Sequence, residues 1–477
     1  MDIFEKYFRQ LFCILLAVAL VLYLLLIGGT NIGADEAYSL AMARHSVAEI
    51  CAITAADVHP PLYYILLKFF IQPFGYSLSA AYIFSVIPYM LILLIGGIQI
   101  AQIFDKKTSL VFMFLFLFFP FLLLLIVDIR MYTLAAFFVF MTGIFAYRSY
   151  ERGKLSDWLI FSIFAAAASY THYFAMVSAG IIYLLLLTGA IVEHRKIVKK
   201  WLMAALLTFC IYLPWLASFV GQILFKVNND YWIPAVTFST IVGYIRDIFG
   251  ASGVRGYIIF SAVSYAVVFL SVVTSRNKKN IMLSLACLCV PFGTVLVGVL
   301  ASVLVRPVFV VKYVVPSLPF LVLFMAIGIC QLRHEAVAGA CLAIALVGGT
   351  SNYMTTYETE NTVPWGAIDA AFVQRYSDCD GYILTTIATY MISSWIDYYD
   401  DAKLPMYTDT LDGSSPYEAL VLLDTFDAKE NEKIVVFVNA GDEVPTSFGG
   451  CDYSAVYTET VECGVSTDVY VLTREEK

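Results

Sequence analysis

"HPPLYYILLKFFIQPFG" occupies residues 59–75, and its reading decides the fold. The stretch is apolar, yet it opens on Pro60-Pro61, carries Lys68 and closes at Pro73. Its uninterrupted apolar run is about 11 residues, and a helix that crosses the hydrocarbon core needs about 20. The run therefore suits an interfacial or re-entrant helix. If it crossed instead, every later loop would change sides.

The class of the chain follows from bulk composition. Of 477 residues, 61% are hydrophobic and only 14% are charged. That excludes an ordinary soluble domain and indicates a polytopic membrane protein. Apolar runs long enough to span a bilayer fall near 9–28, 79–102, 109–126, 131–148, 156–171, 173–192, 201–220, 255–275, 281–304, 312–332 and 335–351. The first, roughly 11–27, is followed by no small-residue cleavage site and reads as a retained signal anchor.

Charge decides between the two topologies. With 59–75 left uncrossed, the cytoplasmic segments hold fifteen Lys and Arg residues and the outer loops hold eight. Crossing at 59–75 inverts that bias, against the positive-inside rule. The expected architecture is an all-α polytopic domain, residues 1–351, with about 11 transmembrane helices and an interfacial helix in its first outer loop. The N-terminus is expected in the cytoplasm and the C-terminus outside.

Residues 352–477 read as a separate extracytoplasmic α/β domain. Hydropathy falls from about 351 onward, and the tail has 23 acids against 6 bases. "GYILTTI" (381–387), "KIVVFVN" (433–439) and "DVYVLTR" (468–474) predict strands. "ATYMISSWIDYY" (388–399) predicts a helix with Met391, Trp395 and Tyr398 on one face. Seven of the ten cysteines lie in or beside the membrane part and suit small apolar side chains. In the tail, a pairing of Cys451 with Cys463 is left open. No Cys/His spacing resembles a zinc site.

The spans are clean of charge away from their ends, whereas transporters and pumps place ionisable groups at mid-membrane depth. The polar chemistry gathers instead at the outer rim, where four loops contribute Asp35, Glu36, Asp57, His59, Arg130, His172, Arg306 and Lys312. Each has a bland reading. Asp35 and Glu36 follow Gly33 and begin a predicted helix, where acids often serve as caps. Arg130 in "DIRMY" reads as an interfacial anchor or as a phosphate ligand. His172 lies between two aromatic stretches in "SYTHYFA", where a structural role is the simpler one. Arg306 and Lys312 flank an apolar hexad and either snorkel or hold a lipid phosphate.

The ordered set resembles the C-type, polyprenol-dependent membrane glycosyltransferases, and most closely the branch that includes the protein O-mannosyltransferases. The resemblance runs from about residue 30 to 320. It rests on the early "DE" pair, "D-x-HPPLYY" (57–64), an acidic-x-R-M-Y element (128–132), "THYF" (171–174), "YLPW" (212–215), "YWIP" (231–234) and a basic-Tyr element followed by prolines (312–319). Two positions depart from that pattern. Asp128 stands where Glu is common, and Lys312 stands where Arg is expected, without Arg's bidentate fork. The tail carries no motif that matches the sugar-binding-type domain of the eukaryotic mannosyltransferases.

The resemblance implies an enzyme that takes a sugar from a polyprenyl-phosphate donor and transfers it to an acceptor on the outer face. The acceptor would be a protein, a cell-wall polymer or a lipid; no nucleic acid is involved. Polyprenyl phosphate is a stable anion, so the departing phosphate needs cations, for which Arg130, Arg306 and Lys312 are candidates. The acceptor hydroxyl needs a general base. By resemblance that base is Asp35, with Glu36 orienting it or binding the acceptor, and with Asp57 and His59 shaping the pocket floor. His172, Tyr132 and Tyr313 are further candidate pocket residues. One base without an enzyme nucleophile implies a single displacement with inversion. No cofactor is required on this reading; a divalent metal is left open, since two adjacent acids alone make a poor Mg²⁺ site. The alternative is a lipid-linked sugar flippase or transporter, which would need a polar path through the spans.

Overall fold

Residues 59–75 fold as a ten-residue helix, Leu62–Ile71, extended by a 3₁₀ turn over Gln72–Phe74. Such a helix is about 15 Å long, half the thickness of the hydrocarbon core. Its bounds follow from local chemistry. Pro60 and Pro61 have no amide hydrogen and precede the first turn. At the other end Gly75 and Tyr76 take left-handed conformations, with φ of 64° and 59°, which turn the chain out of the helix.

This is a computed structural model; it describes residues 3–27, 32–193, 195–228, 233–362, 365–385, 389–408, 431–448, 451–462 and 466–475. Among these, seven helices are long and apolar enough to cross a membrane. They lie over Phe8–Leu26, Leu78–Ile103, Tyr173–Val192, Val198–Leu224, Lys278–Leu304 and Val311–Gln331, and in the long helix that begins at Glu335. The chain is thus a multi-pass membrane protein. Each of the other expected spans coincides with helical structure: Tyr132–Arg152, Leu155–Thr171, Tyr257–Val273 and the broken pair Lys106–Leu117 and Pro120–Leu124. The break is at Phe118–Phe119, where Pro120 starts a new helix at its first position. The count of eleven crossings rests on hydropathy and charge.

The chain forms two compact units. One comprises residues 1–28, 59–63 and 82–359 and is helical. Its core is aromatic. Phe140 stacks on Phe112 at 5.4 Å and meets Phe320 at the same distance. Gly143 makes room for the latter ring, since a Cβ there would lie 2.4 Å from Phe320. Small residues that allow such close approach are the usual device of membrane helix packing. Arg148, from the far end of helix Tyr132–Arg152, meets the buried Asp157 at 3.1 Å and donates to Gln99 Oε1 at 3.1 Å.

The other unit comprises residues 29–58, 64–81 and 360–477. It is built on a six-stranded sheet: β1 (Gly381–Thr385), β2 (Met406–Thr408), β3 (Lys433–Asn439), β4 (Ser447–Phe448), β5 (Cys451–Glu462) and β6 (Ser466–Arg474). The strand order is β2-β1-β3-β6-β5-β4. Strands β2, β1 and β3 are parallel, and β6 pairs antiparallel with β3, with Val436 opposite Tyr470. The helix Thr389–Tyr399 makes the crossover from β1 to β2 that a parallel pair requires. One face of the sheet buries Ile383, Tyr407, Ile434, Val436 and Leu472. On the other, Phe437 meets Phe372, which in turn meets Trp395 of the crossover helix.

The expected strands at 381, 433 and 468 and the expected helix at 388–399 are found, with 386–388 outside the described residues. On that helix Trp395 is buried and Tyr398 half-buried, while the Met391 side chain lies outside the described set. Strand β5 was not expected. It is half exposed, with Val456 and Tyr457 facing out, so its mixed composition carries no strong alternation. Cys451 is a free thiol; Cys463, its suggested partner, lies outside the described residues, as do Tyr231 and Trp232 of "YWIP".

Candidate active site

The acids stand in the second unit, on a short helix, Ala34–Arg44, and at the end of the next, Val47–Ala56. Gly33 caps the first helix, and Glu36 Oε2 accepts from the Gly33 amide at 2.6 Å. Glu36 therefore satisfies one of the amides that a helix start leaves open. Asp35, one residue earlier in the same first turn, is half-buried. Its backbone carbonyl accepts from Ser39 Oγ at 3.0 Å.

Asp57 follows Ala56 as the cap of its helix and is only 3% exposed. The buried Tyr38 donates its hydroxyl to Asp57 Oδ2 at 2.9 Å. Tyr64, from "HPPLYY", meets the Tyr38 ring edge-on at 5.8 Å. The DE helix, the Asp57 cap and the interfacial helix thus converge on Tyr38. The helix Thr389–Tyr399 packs against the DE helix. Its Tyr399 hydroxyl reaches the Ile32 carbonyl at 3.5 Å, and its Asp397 meets Arg44 at 3.3 Å.

The cations stand in the first unit. Arg130 is only 5% exposed and lies in the non-helical stretch between helices Pro120–Leu124 and Tyr132–Arg152. The carbonyl of Asp128 accepts from Ser85 Oγ at 2.8 Å, which fixes that stretch. Lys312 and Tyr313 lie on a 3₁₀ turn, Val311–Ser317, which opens the expected span over 312–332. Pro316 and Pro319 account for the 3₁₀ start, because each removes a backbone donor. Lys312 Nζ sits over the Tyr132 ring at 5.6 Å from its centre, a cation–π distance.

His172 separates helices Leu155–Thr171 and Tyr173–Val192 and caps the second, its Nδ1 accepting from the Phe174 amide at 3.1 Å. Its ring lies 4.9 Å from Tyr313 and 5.7 Å from Tyr132. Burial holds its pKa well below the ordinary imidazole value, and the nearby charges of His59, Arg130 and Lys312 act in the same direction. His59, Arg130, Tyr132, His172, Lys312 and Tyr313 therefore share one electropositive, aromatic neighbourhood. Arg306 is half-buried between the helix that ends at Leu304 and the 3₁₀ turn.

Tyr38 and Tyr399 escape the sequence reading as site residues. Nothing in their local pattern separates them from other aromatics in a chain with 32 tyrosines. An apolar cavity of about 400 Å³ lies towards the far ends of helices Tyr132–Arg152 and Tyr173–Val192 and includes none of these residues. Among the described residues no three His, Cys, Asp or Glu side chains lie together as metal ligands.

A family model described as dolichyl-phosphate-mannose-protein mannosyltransferase matches residues 58–217. No curated protein matches the sequence. Among solved structures, ArnT from Cupriavidus metallidurans in the apo state is similar with a TM-score of 0.66 at 10% identity, over 96% of this chain and 97% of that one. The same protein bound to undecaprenyl phosphate gives 0.65 at 11% identity, over 96% and 97%. The arabinofuranosyltransferase AftD from Mycobacteria gives 0.52 at 12% identity, over 98% of this chain and 40% of that one. At these identities the likeness to the solved structures is one of fold. The resemblance to polyprenyl-phosphate-dependent membrane glycosyltransferases read from the ordered motifs is thus met by a family match and by the fold.

Proposed function

We propose that this glycosyltransferase-like chain moves a sugar from a polyprenyl-phosphate donor to an acceptor hydroxyl on the outer face of the membrane, with inversion. The observation that carries the reading is the convergence of Arg130 and Lys312 on a neutral, buried His172. Like charges repel, the more so where water is excluded. Two cations whose charges act on one buried ring suit an anion, and a lipid phosphate at the bilayer edge is one. The ArnT structure with undecaprenyl phosphate supports the same ligand class.

In the proposed reaction the cations stabilise the departing phosphate oxygen as the C1–O bond breaks. Positioned charge of this kind is worth most where it is fixed beforehand. The attacking hydroxyl loses its proton to a carboxylate. Glu36 caps the helix through Gly33 and Asp57 accepts from Tyr38. By the resemblance of the "DE" pair to that of the polyprenol-dependent membrane glycosyltransferases, the base is Asp35. Its oxygen takes the proton while the acceptor oxygen bonds to C1 from the face opposite the phosphate. A flippase would need polar groups along the spans, and the Arg148–Asp157 pair, which lies at helix ends, is engaged with itself and with Gln99. Transfer is proposed to need no resident metal.

The test is release of polyprenyl phosphate from labelled polyprenyl-phosphate hexoses and pentoses by the purified chain, with host membranes supplying acceptor. Product carrying the label with inverted anomeric configuration is expected, in chelator as well as without it. Movement of the intact donor between leaflets with no release of polyprenyl phosphate would favour the flippase.

A further inference from the structure

The C-terminal segment and the DE loop belong to one compact unit, although more than 300 residues separate them in the chain. Within it, the helix Thr389–Tyr399 holds the DE helix at both ends. At the N-terminal end, the Tyr399 hydroxyl reaches the carbonyl of Ile32, the residue before the Gly33 cap. Tyr399 is 7% exposed, and the Glu36 carboxylate is one of the charges that act on it. At the C-terminal end, Arg44 meets Asp397. The holding helix is itself braced: Trp395 Nε1 donates to Asp369 at 3.4 Å, and Phe372 packs on Trp395.

We infer that Tyr399 and Asp397 are positioning residues for the acidic turn, and that the sheet-bearing C-terminal domain is part of the catalytic apparatus. The physical reason is the shortness of the DE helix. Eleven residues make three turns, too few to hold themselves in water, and Asp35 lies in the first. A helix start is where fraying begins. Fixing Ile32 and Arg44 from one rigid partner fixes both the rotation of the helix and the direction in which Asp35 points. Orientation of that kind is worth a great deal in rate, since a misplacement of about 1 Å can cost on the order of 10²-fold. The inference rests on the reading of Asp35 as the base.

The test uses the full chain in detergent or nanodiscs and release of polyprenyl phosphate from a labelled polyprenyl-phosphate sugar, with host membranes as acceptor source. Tyr399→Phe and Asp397→Asn are each expected to lower kcat by about tenfold, with unchanged donor KM and unchanged melting temperature. Arg44→Gln should match Asp397→Asn, and the double variant should be no worse than either single one, because the two act through one contact. Lys403→Met, which removes the other ion pair of Asp397, should keep wild-type kcat. Asp35→Asn is measured alongside. Wild-type kcat in Tyr399→Phe and Asp397→Asn, with Asp35→Asn inactive, overturns the inference and leaves the base intact. An active Asp35→Asn overturns the base itself. A loss of kcat that tracks a loss of melting temperature, or that is additive in the double variant, makes these contacts merely structural and also overturns the inference.

Discussion

The Tyr38 hydroxyl and Asp57 Oδ2 lie 2.9 Å apart, and both residues are buried. This bond ties the middle of the DE helix to the turn that leads into "HPPLYY". A hydrogen bond to a charged group contributes about 1.5–3 kcal/mol. Tyr38→Phe removes the donor and keeps the ring, so the melting temperature should fall. Asp57→Asn keeps an acceptor oxygen of the same shape and should fall less. Thermal unfolding of the purified variants decides; a Tyr38→Phe protein that melts with the wild type means the bond does not hold this loop.

The adjacent acids separate by role. Glu36 is spent on the Gly33 amide, so Glu36→Gln weakens a cap, a loss of about 1 kcal/mol, and should lower transfer only modestly. Asp35→Asn keeps shape and removes basicity, so transfer should fall by roughly 10²–10⁴ while donor binding persists. If Asp35 served only as a first-turn helix acid, Asn there would hardly matter. Initial rates for the two variants at saturating donor distinguish these outcomes.

How much of this was legible in the sequence depends on the range of the interaction. The interfacial helix at 62–71 was legible because proline and helix length act locally. Arg130, His172 and Lys312 were legible as polar groups near span ends, since such positions are visible in one dimension. The grip of Tyr399 on Ile32 was not, because it joins residues 367 apart in the chain. The 3₁₀ turn under Lys312 was missed for another reason: hydropathy over 312–332 is continuous, and it outweighed the two prolines that set the local backbone.

The cations should govern donor affinity. Arg130→Ala and Lys312→Ala each remove a charge-assisted contact worth about 1.5–3 kcal/mol, so donor kcat/KM should drop by about tenfold or more. Lys312→Arg adds a fork that can grip phosphate in two places and should retain activity better than the alanine variant. Unaltered donor dependence in both alanine variants would place the phosphate elsewhere.

Sidedness is expected from charge bias and can be read chemically. Lys199 and Glu432 are both exposed. In a background with the native cysteines replaced, a cysteine at 432 should react with an impermeant thiol reagent from outside intact cells. One at 199 should react only after permeabilisation. Labelling of both from the same side would overturn the proposed orientation.

The last prediction concerns pH. His172 is buried, and burial together with His59, Arg130 and Lys312 keeps it neutral well below the ordinary imidazole value of about 6.5. The unfolded chain takes up its proton near that value, while the folded chain resists. Folded-state stability is therefore present above about pH 6.5 and declines as pH falls below it, because the unfolded state then binds the extra proton. His172→Asn removes the titrating ring and keeps a side-chain oxygen suited to capping the following helix. Melting temperatures between pH 7 and pH 5 should thus fall more steeply for the wild type than for the variant, with the acids contributing equally to both. Undecaprenyl phosphate supplies a test of the site as well. An anion bound beside Arg130 and Lys312 offsets their field, raises the affinity of His172 for its proton and should flatten the wild-type slope towards that of the variant. A slope that ignores saturating lipid phosphate would remove the anion from this cluster.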